Sequence, residues 1–256
     1  MKETYRTDAV EKFTANYESA NSMERYYQQR KMRFLYNAIK KQVVDENPYS
    51  IIADLGAGEG IFLDISKSFN QDIATIGLDI ASEHCKTINK KGHYSICGDA
   101  ENLPIKDNSL DSVFLLDVIE HFYDAKVLDE IYRTLKVGGA LLLSTPNKYG
   151  IYEYKEWVYF GMHLKDIFNS LRGKPRSYFP YHVNLHSKRE IMRTLETHDF
   201  SVENVNTMGF CLPFLGNINI IFKIYNSKRF LKVLEFFEKR AEFLNFLIVV
   251  RCRKIK

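Results

Sequence analysis

A chain of 256 residues is long enough for one ordinary domain with appended elements and a full hydrophobic core. Hydrophobic residues make up 45% and charged residues 27%, which is normal globular usage, and the net charge of +4 is too small to indicate a nucleic-acid partner by itself. The charge is uneven, because residues 223–256 hold ten Lys or Arg against three Glu. Such a basic segment can face phosphates or anionic lipid, although a solvated helix face is the more common outcome.

The cysteine spacing and the apolar runs exclude several classes of protein. The four cysteines, Cys85, Cys97, Cys211 and Cys252, form no Cys-x-x-Cys pair, so neither a zinc site nor a disulfide framework is indicated. The first residues lack the apolar core of a secretion signal, and no apolar run approaches the length of a membrane helix. We therefore expect a cytoplasmic protein without a bound metal.

The first predicted element is helical. Residues 1–48 have a mostly helical pattern, in which Met32, Leu35, Tyr36 and Ile39 share one face. We expect this segment to cover a main domain that spans residues 49–256.

A glycine turn follows, between a short apolar run at 51–53 that predicts a buried strand and a pattern at 61–65 that predicts a helix. Asp54 ends the strand, and Gly56, Gly58 and Gly60 occupy alternate positions after it. Glycine permits positive φ and lets a ligand lie against the backbone. Because a carboxylate beside the turn would repel a pyrophosphate, the turn suits a ligand with a cationic or hydroxyl-rich group.

Strands and helices then alternate. Strands are predicted at 73–80, 94–97, 112–116 and 140–144, with one helix from an N-cap at Ser82 to Lys91 and another at 127–135 that ends at Gly138-Gly139. Nearly all-apolar strands alternating with helices indicate a parallel sheet covered on both faces.

The rest of the chain mixes irregular and regular patterns. Residues 150–186 are irregular and aromatic, and a capping box at 187–190 opens a helix at 188–197. Strands are predicted at 202–208 and 246–252, and the segment 214–244 between them is apolar and basic. We expect 150–186 and 210–244 to be acceptor-side insertions. The aromatic residues equally suit a satellite core, and 210–244 either contacts a membrane-borne substrate or packs on the sheet edge.

Four acids stand at four successive strand ends, Asp54, Asp79, Asp99 and Asp117, where ligands bind parallel sheets. Asp79 lies 19 residues after Gly60, which is the spacing of the ribose-binding acid in dinucleotide-binding folds. An NAD-linked oxidoreductase therefore stays open as an alternative. The NAD pattern Gly-x-Gly-x-x-Gly is absent here, however, and Asp54 precedes the turn.

Five ordered motifs resemble those of class I S-adenosylmethionine-dependent methyltransferases, with most likeness to the branch that includes the ubiquinone and menaquinone biosynthesis enzymes. The motifs are 54–60 (DLGAGEG), 77–79 (GLD), 98–104 (GDAENLP), 116–121 (LDVIEH) and 135–139 (LKVGG). The resemblance covers about residues 30–147, and 182–210 more loosely. It implies an α/β, Rossmann-like, seven-stranded and mostly parallel sheet, with S-adenosylmethionine as cofactor and S-adenosylhomocysteine as product.

The resemblance also implies a cofactor-binding set: Asp54, Gly56, Ala57, Gly58, Gly60, Asp79, Ile80, Asp99, Ala100, Glu101, Asp117 and Val118. In it Asp54 lies beside the methionine and ribose part, Asp79 accepts the ribose hydroxyls, and Asp99 accepts the adenine amino group. Ile80 packs on adenine, and Asp117 closes the methionine end. Turn capping is the alternative for Asp99 and Asp117.

Histidines are the candidate general bases for an oxygen or carbon acceptor. His121 follows the fourth strand and is equally explained as a structural residue, and His182 is the second candidate. The spacing of His182 and His186 suggests a metal pair on a helix. Pro180 and the cap at Ser187 place both on a loop instead, so no metal is predicted.

Absent motifs narrow the acceptor. The chain lacks the Asn/Asp-Pro-Pro-Tyr/Phe motif of amine-directed nucleic-acid methyltransferases and the Pro-Cys pair of cytosine C5 enzymes. We therefore expect a small-molecule, lipid or glycan acceptor and no nucleic-acid substrate. The expected acceptor atom is oxygen, with carbon and nitrogen as the alternatives. A non-catalytic S-adenosylmethionine-binding protein is a further alternative.

Overall fold

The computed structural model describes residues 22–45, 49–150, 183–209, 233 and 236–256. The helices with defined bounds are α1 (Ser22–Asp45), α2 (Ile61–Phe69), α3 (Ser82–Lys90), α4 (Lys126–Thr134) and α5 (Lys188–Thr197). The strands are β1 (Ile51–Leu55), β2 (Ala74–Asp79), β3 (Tyr94–Cys97), β4 (Leu110–Leu116), β5 (Leu135–Pro146), β6 (Phe200–Met208) and β7 (Leu247–Lys254). Short 3-10 turns lie at Ile119–His121 and Glu242–Leu244.

The strands form one seven-stranded sheet in the order β3-β2-β1-β4-β5-β7-β6. β1 to β5 pair in parallel, and β7 runs antiparallel to both β5 and β6. The predicted mostly parallel, Rossmann-like sheet is confirmed. The strand order reverses between β1 and β4, so the carboxyl ends of these two strands flank the crevice where open α/β sheets bind ligands.

Alternate residues of the central strands face two separate apolar cores, because successive side chains of a strand point to opposite faces. In β4, Val113 and Leu115 join the core under α4 and α5, whereas Phe114 and Leu116 join the core under α1 and α2. Both faces of the sheet are therefore covered, as the apolar strands predicted.

The predicted apolar face of α1 is confirmed. Met32, Leu35 and Ile39 are buried, and Tyr36 packs edge-on against Phe69 of α2 with ring centroids 5.0 Å apart. The capping box that opens α5 is present as well, with reciprocal hydrogen bonds between the residues at 187 and 190. No helix in the described part of the chain is both long and apolar enough to cross a membrane.

The predicted N-cap of α3 is wrong. Ser82 is already the first helical residue, and its hydroxyl donates to Glu83 Oε2 instead of capping the helix. The extended residue before the helix is Ala81, which has no side-chain cap, and its N–H donates to Asp79 Oδ1 at 2.9 Å. The helix therefore begins without a side-chain cap, and the acid at the end of β2 binds the amide of the residue in the N-cap position.

The predicted glycine C-cap of α4 is also wrong. The helix ends at Thr134, and both glycines lie within β5. Gly138 has φ +81, and the pairing with β4 shifts register between Leu110 and Ser112. The Gly138-Gly139 pair therefore lies at an irregularity in the strand. Such an irregularity requires positive φ, as a helix end does. Most of the predicted insertions 150–186 and 210–244 lies outside the described residues.

Candidate functional site

The turn after β1 is held to the sheet by its own backbone. The N–H groups of Gly56 and Ala57 both donate to Leu78 O of β2, at 2.8 and 2.9 Å, and Gly60 N–H donates to Ala57 O at 2.8 Å. Gly56, Gly58 and Gly60 have φ of +71, +53 and +77. A side chain is strained at each of these positions, so the alternate glycines are required by the turn.

The glycines differ in what faces them. A Cβ on Gly56 would stand 2.5 Å from Val118 Cγ2, and one on Gly60 would stand 3.2 Å from Ile88 Cγ1. A Cβ on Gly58 would meet nothing within 4 Å. Gly56 and Gly60 are therefore packing positions, whereas the backbone at Gly58 faces space that a ligand can fill.

Asp54 is a buried acid at the carboxyl end of β1. Its side chain is 1% exposed, and its Oδ2 has no hydrogen-bond partner among the described residues. Burial, and then the charge of Asp79, raise the pKa of Asp54 from 3.8 to about 8. A buried carboxylate oxygen without a partner is costly, which favours a cationic or hydroxyl ligand group at this position.

Asp79, at the end of β2, joins the turn to the start of α3. Its Oδ2 accepts the Gly58 N–H at 2.8 Å, while its Oδ1 accepts the Ala81 N–H and lies 3.1 Å from His84 Nδ1. The next residue, Ile80, is 81% exposed. The site therefore has an acid directly beside an apolar surface.

The residues after β3 form a turn of their own. Asp99 Oδ1 accepts the Glu101 N–H at 2.9 Å, and Ala100 is buried. The turn connects to β2 because Gly98 N–H donates to Asp79 O at 3.1 Å. One carboxylate oxygen of Asp99 thus caps its turn, as the alternative interpretation expected, and the second is left for another partner.

Asp117 follows β4 with a φ of +56, a conformation that is uncommon for residues other than glycine. Its N–H donates to Ser144 O at 2.9 Å, its Oδ1 accepts from Ser144 Oγ at 3.0 Å, and its Oδ2 is ion-paired with Lys31 of α1. The next residue, Val118, packs against Gly56. The ends of β1 and β4 are therefore in direct contact at the crevice.

The structure thus brings the predicted residues from 54–60, 79–80 and 117–118 together and connects 98–101 to them through β2. Lys31 and Ser144 were not among the predicted site residues. Lys31 is one of several basic residues on a helix, and Ser144 ends an apolar strand, so neither has a local signal. The contact of each with Asp117 appears only in the folded chain.

The two candidate catalytic residues, His121 and His182, have less structural support than the predicted cofactor-binding residues. His121 is exposed at the end of the turn after β4, and its N–H donates to Val118 O at 3.0 Å. His182 lies outside the described residues. Beside His121, Glu120 is buried and accepts from Thr145 Oγ1 at 3.2 Å. The backbone of His121 is therefore bonded to that of Val118, and both His121 and His182 stay predictions as catalytic residues.

His186 is buried next to β5, where it bridges to Asn147. Its Nδ1 has no hydrogen-bond partner among the described residues, and burial lowers its pKa although Glu190 opposes that shift. Within the described ranges, no group of three or more His, Cys, Asp and Glu side chains is arranged to hold a metal ion.

Curated relatives match the central part of the chain. It is 39% identical over 98 residues to an uncharacterized protein of Methanocaldococcus jannaschii, covering 38% of this chain and 41% of that protein. It is 28% identical over 109 residues to the probable tRNA methyltransferase 9B of Homo sapiens, covering 41% of this chain and 23% of that protein. It is 31% identical over 128 residues to the malonyl-[acyl-carrier protein] O-methyltransferase of Marinomonas sp., covering 47% of this chain and 46% of that protein. The chain spans less than half the length of these relatives.

A family model and a solved structure agree with this result. The structure of a geranyl diphosphate methyltransferase in complex with SAM superposes with a TM-score of 0.58 at 15% identity, covering 86% of this chain and 84% of that one, which shows a shared fold. Residues 53–143 match the family model described as a methyltransferase domain. The central part of the chain is therefore similar to a methyltransferase domain, and its fold is shared with a methyltransferase solved in complex with SAM.

Proposed function

We propose that this protein transfers the methyl group of S-adenosylmethionine to an oxygen atom of a small-molecule, lipid or glycan acceptor. The observation that carries the proposal is the unpartnered Oδ2 of the buried Asp54 at the end of β1. In the turn that follows, the backbone at Gly58 faces open space. A ligand with a positively charged part satisfies this oxygen, and S-adenosylmethionine has both a sulfonium and an ammonium group.

The same features argue against NAD. A phosphate-binding glycine turn presents free N–H groups to the ligand. Here the amides of Gly56, Ala57, Gly58 and Gly60 all donate within the protein. A pyrophosphate would find no free donor among these four amides.

We assign the cofactor a path along the strand ends. The methionine end lies between Asp54 and Asp117, the ribose lies at Asp79, and adenine packs on Ile80 with its edge toward Asp99. Asp79 already accepts two amides and its Oδ1 also lies beside His84, but its Oδ2 has a second acceptor position for a ribose hydroxyl. We further propose that the N-terminal segment 1–48 covers the domain formed by 49–256, since α1 contacts the methionine end through Lys31.

Methyl transfer itself requires few catalytic groups from the protein. The acceptor oxygen attacks the methyl carbon in line with the carbon–sulfur bond, which breaks and leaves its electrons on sulfur as a neutral thioether. Positioning of the acceptor lowers the barrier, and a base takes the hydroxyl proton where the acceptor has one. We keep His121 and His182 as the candidate bases.

Two relatives bear on the acceptor. The Marinomonas relative is named as an O-methyltransferase, which supports oxygen as the acceptor atom. The relative named as a probable tRNA methyltransferase makes RNA the second candidate acceptor. In this chain the residues after β4 are Asp117 to Glu120 (DVIE), without the motif of amine-directed nucleic-acid enzymes, which supports a non-nucleic acceptor.

Calorimetry followed by label transfer tests the proposal. The protein is titrated with S-adenosylmethionine, S-adenosylhomocysteine and NAD, and then incubated with methyl-labelled cofactor and separated lipid, glycan, small-molecule and RNA fractions. We expect binding of the first two ligands and label in a fraction without RNA. Binding of NAD alone would indicate an oxidoreductase instead. Label in the RNA fraction would indicate a tRNA methyltransferase. Binding of S-adenosylmethionine without label in any fraction would indicate a non-catalytic binding protein. Gly58→Val is the binding-deficient control.

A further inference from the structure

We propose that Lys31 of α1 binds the carboxylate of the cofactor's methionine moiety and leaves Asp117 when the cofactor enters. This inference rests on the proposed function and extends it to the recognition of one end of the ligand. It begins from the position of Lys31. Its Nζ is paired with Asp117 Oδ2, and the side chains of both residues are 22% exposed. Because Val118 packs against Gly56, this pair lies where the ends of β1 and β4 meet.

The ligand chemistry requires a cation at this end. A methionine moiety carries an ammonium and a carboxylate, and Asp54 complements only the ammonium. Four amides of the glycine turn do not supply the missing donors, because those of Gly56, Ala57, Gly58 and Gly60 already donate to protein acceptors. The carboxylate therefore needs a charged side chain, since an unpaired charge in a partly buried site is costly.

Lys31 is held in a suitable position by its helix. The adjacent residue, Met32, is 1% exposed in the core under α1, and Leu35 and Ile39 continue that buried face. The neighbouring cation, Arg30, donates to Glu238 at 2.8 Å. A lysine side chain rotates about several bonds, so its ammonium can change partners while the helix stays in place.

The exchange preserves charge pairing on both sides. When Lys31 moves to the cofactor carboxylate, the cofactor ammonium brings a positive charge to the end of the crevice where Asp54 and Asp117 lie. Asp117 also keeps its hydrogen bond from Ser144 Oγ, at 3.0 Å. Lys31 then acts as a specificity determinant, because ligands without the carboxylate gain nothing from it.

Calorimetry with two cofactors that differ in this one group tests the assignment. Decarboxylated S-adenosylmethionine keeps the sulfonium and the ammonium but lacks the carboxylate. We expect Lys31→Met to weaken the binding of S-adenosylmethionine about tenfold or more, the scale of one charge-assisted hydrogen bond, and to leave the decarboxylated ligand unaffected. Lys31→Arg restores most of the affinity. Lys40→Met, on an exposed position of the same helix, is the matched control and changes neither affinity.

Three outcomes overturn the inference. Wild-type affinity of Lys31→Met for S-adenosylmethionine, with an unchanged melting temperature, would show that the ammonium does not contact the ligand. Equal loss of both ligands would assign Lys31 a purely structural role. Failure of the wild-type protein to bind either ligand would instead remove the proposed function on which the inference rests.

Discussion

Val118, the second residue after β4, lies against Gly56, the first residue after β1, so closely that a Cβ on Gly56 would stand 2.5 Å from its Cγ2 and 3.2 Å from its Cγ1. The two strands adjoin at the point where the strand order reverses. The contact therefore joins the two sides of the crevice at the ends of β1 and β4.

Gly56→Ala is expected to destabilise the fold. The new methyl group would be strained at φ +71 and would overlap Val118, which together should lower the free energy of unfolding by about 2–4 kcal/mol. Urea denaturation measures the loss. The double variant with Val118→Ala should recover the part due to overlap and keep the part due to strain. A double variant no more stable than Gly56→Ala would contradict the contact.

Gly58→Ala should behave in the opposite way. Its methyl group meets nothing within 4 Å, so only the backbone strain at φ +53 remains, which is worth about 1 kcal/mol. The affinity for S-adenosylmethionine should fall by about tenfold or more, since the methyl group occupies space assigned to the ligand. Calorimetry and urea denaturation on the same sample separate the two effects. Unchanged affinity would place the cofactor elsewhere.

Asp54→Asn tests the buried acid through the pH dependence of binding. Below about pH 8 the free protein holds Asp54 protonated, and a cationic ligand favours the ionised form, so binding at neutral pH should release a proton. Titrations in two buffers with different protonation enthalpies detect this release. Affinity should rise as the pH approaches 8, whereas Asp54→Asn should bind more weakly and release no proton at this site. Proton uptake by the wild-type protein would contradict the assignment.

The same substitution should change stability in a predictable direction. The pKa of Asp54 is raised in the folded state, so its contribution to stability is fully present below 3.8 and is lost as the pH rises through about 8. Asp54→Asn keeps the shape and removes the ionisation. The stability of the wild-type protein relative to the variant should therefore fall between these pH values. Thermal melts across that range measure the difference, and parallel curves would mean that Asp54 ionises freely.

The sheet and the glycine turn were accessible from the sequence because their signals are local. Apolar strands, alternate glycines and the acids at strand ends are all readable within a few residues of one another. The capping box at Ser187 and Glu190 is equally local and is confirmed. Only the structure shows which carboxylate oxygen of each acid accepts a hydrogen bond, because some of the donors come from residues far apart in the chain.

The wrong or missed features depend on tertiary contacts. Gly138 has the positive φ of a helix cap, but pairing of Leu135 with Leu110 extends the strand through it. Asp79 accepts the Ala81 amide, and the helix begins one residue earlier than predicted, with Ser82 inside it. The pair of Lys31 and Asp117 joins residues 86 positions apart, and no spacing rule connects them.

Asp117 provides a direct test of the backbone at the end of β4. Its φ of +56 suits glycine, so Asp117→Gly should be more stable than Asp117→Ala by about 1 kcal/mol. Both variants lose the hydrogen bond from Ser144 and the pair with Lys31, and the comparison therefore isolates the backbone strain. Urea denaturation of the two variants gives the difference. An alanine variant as stable as the glycine variant would mean that the strain is absent.

His186 should remain neutral at a pH where most histidines begin to gain a proton. Burial holds its pKa below the usual 6.5, so the unfolded chain binds more protons than the folded one between the two values. The stabilising contribution is therefore complete above 6.5 and is lost as the pH falls through the lower, folded-state pKa. Proton–nitrogen NMR of the ring should give this pKa directly, and His186→Gln should remove the corresponding slope from the stability curve. A ring that titrates at or above 6.5 would show that Glu190, rather than burial, dominates its surroundings.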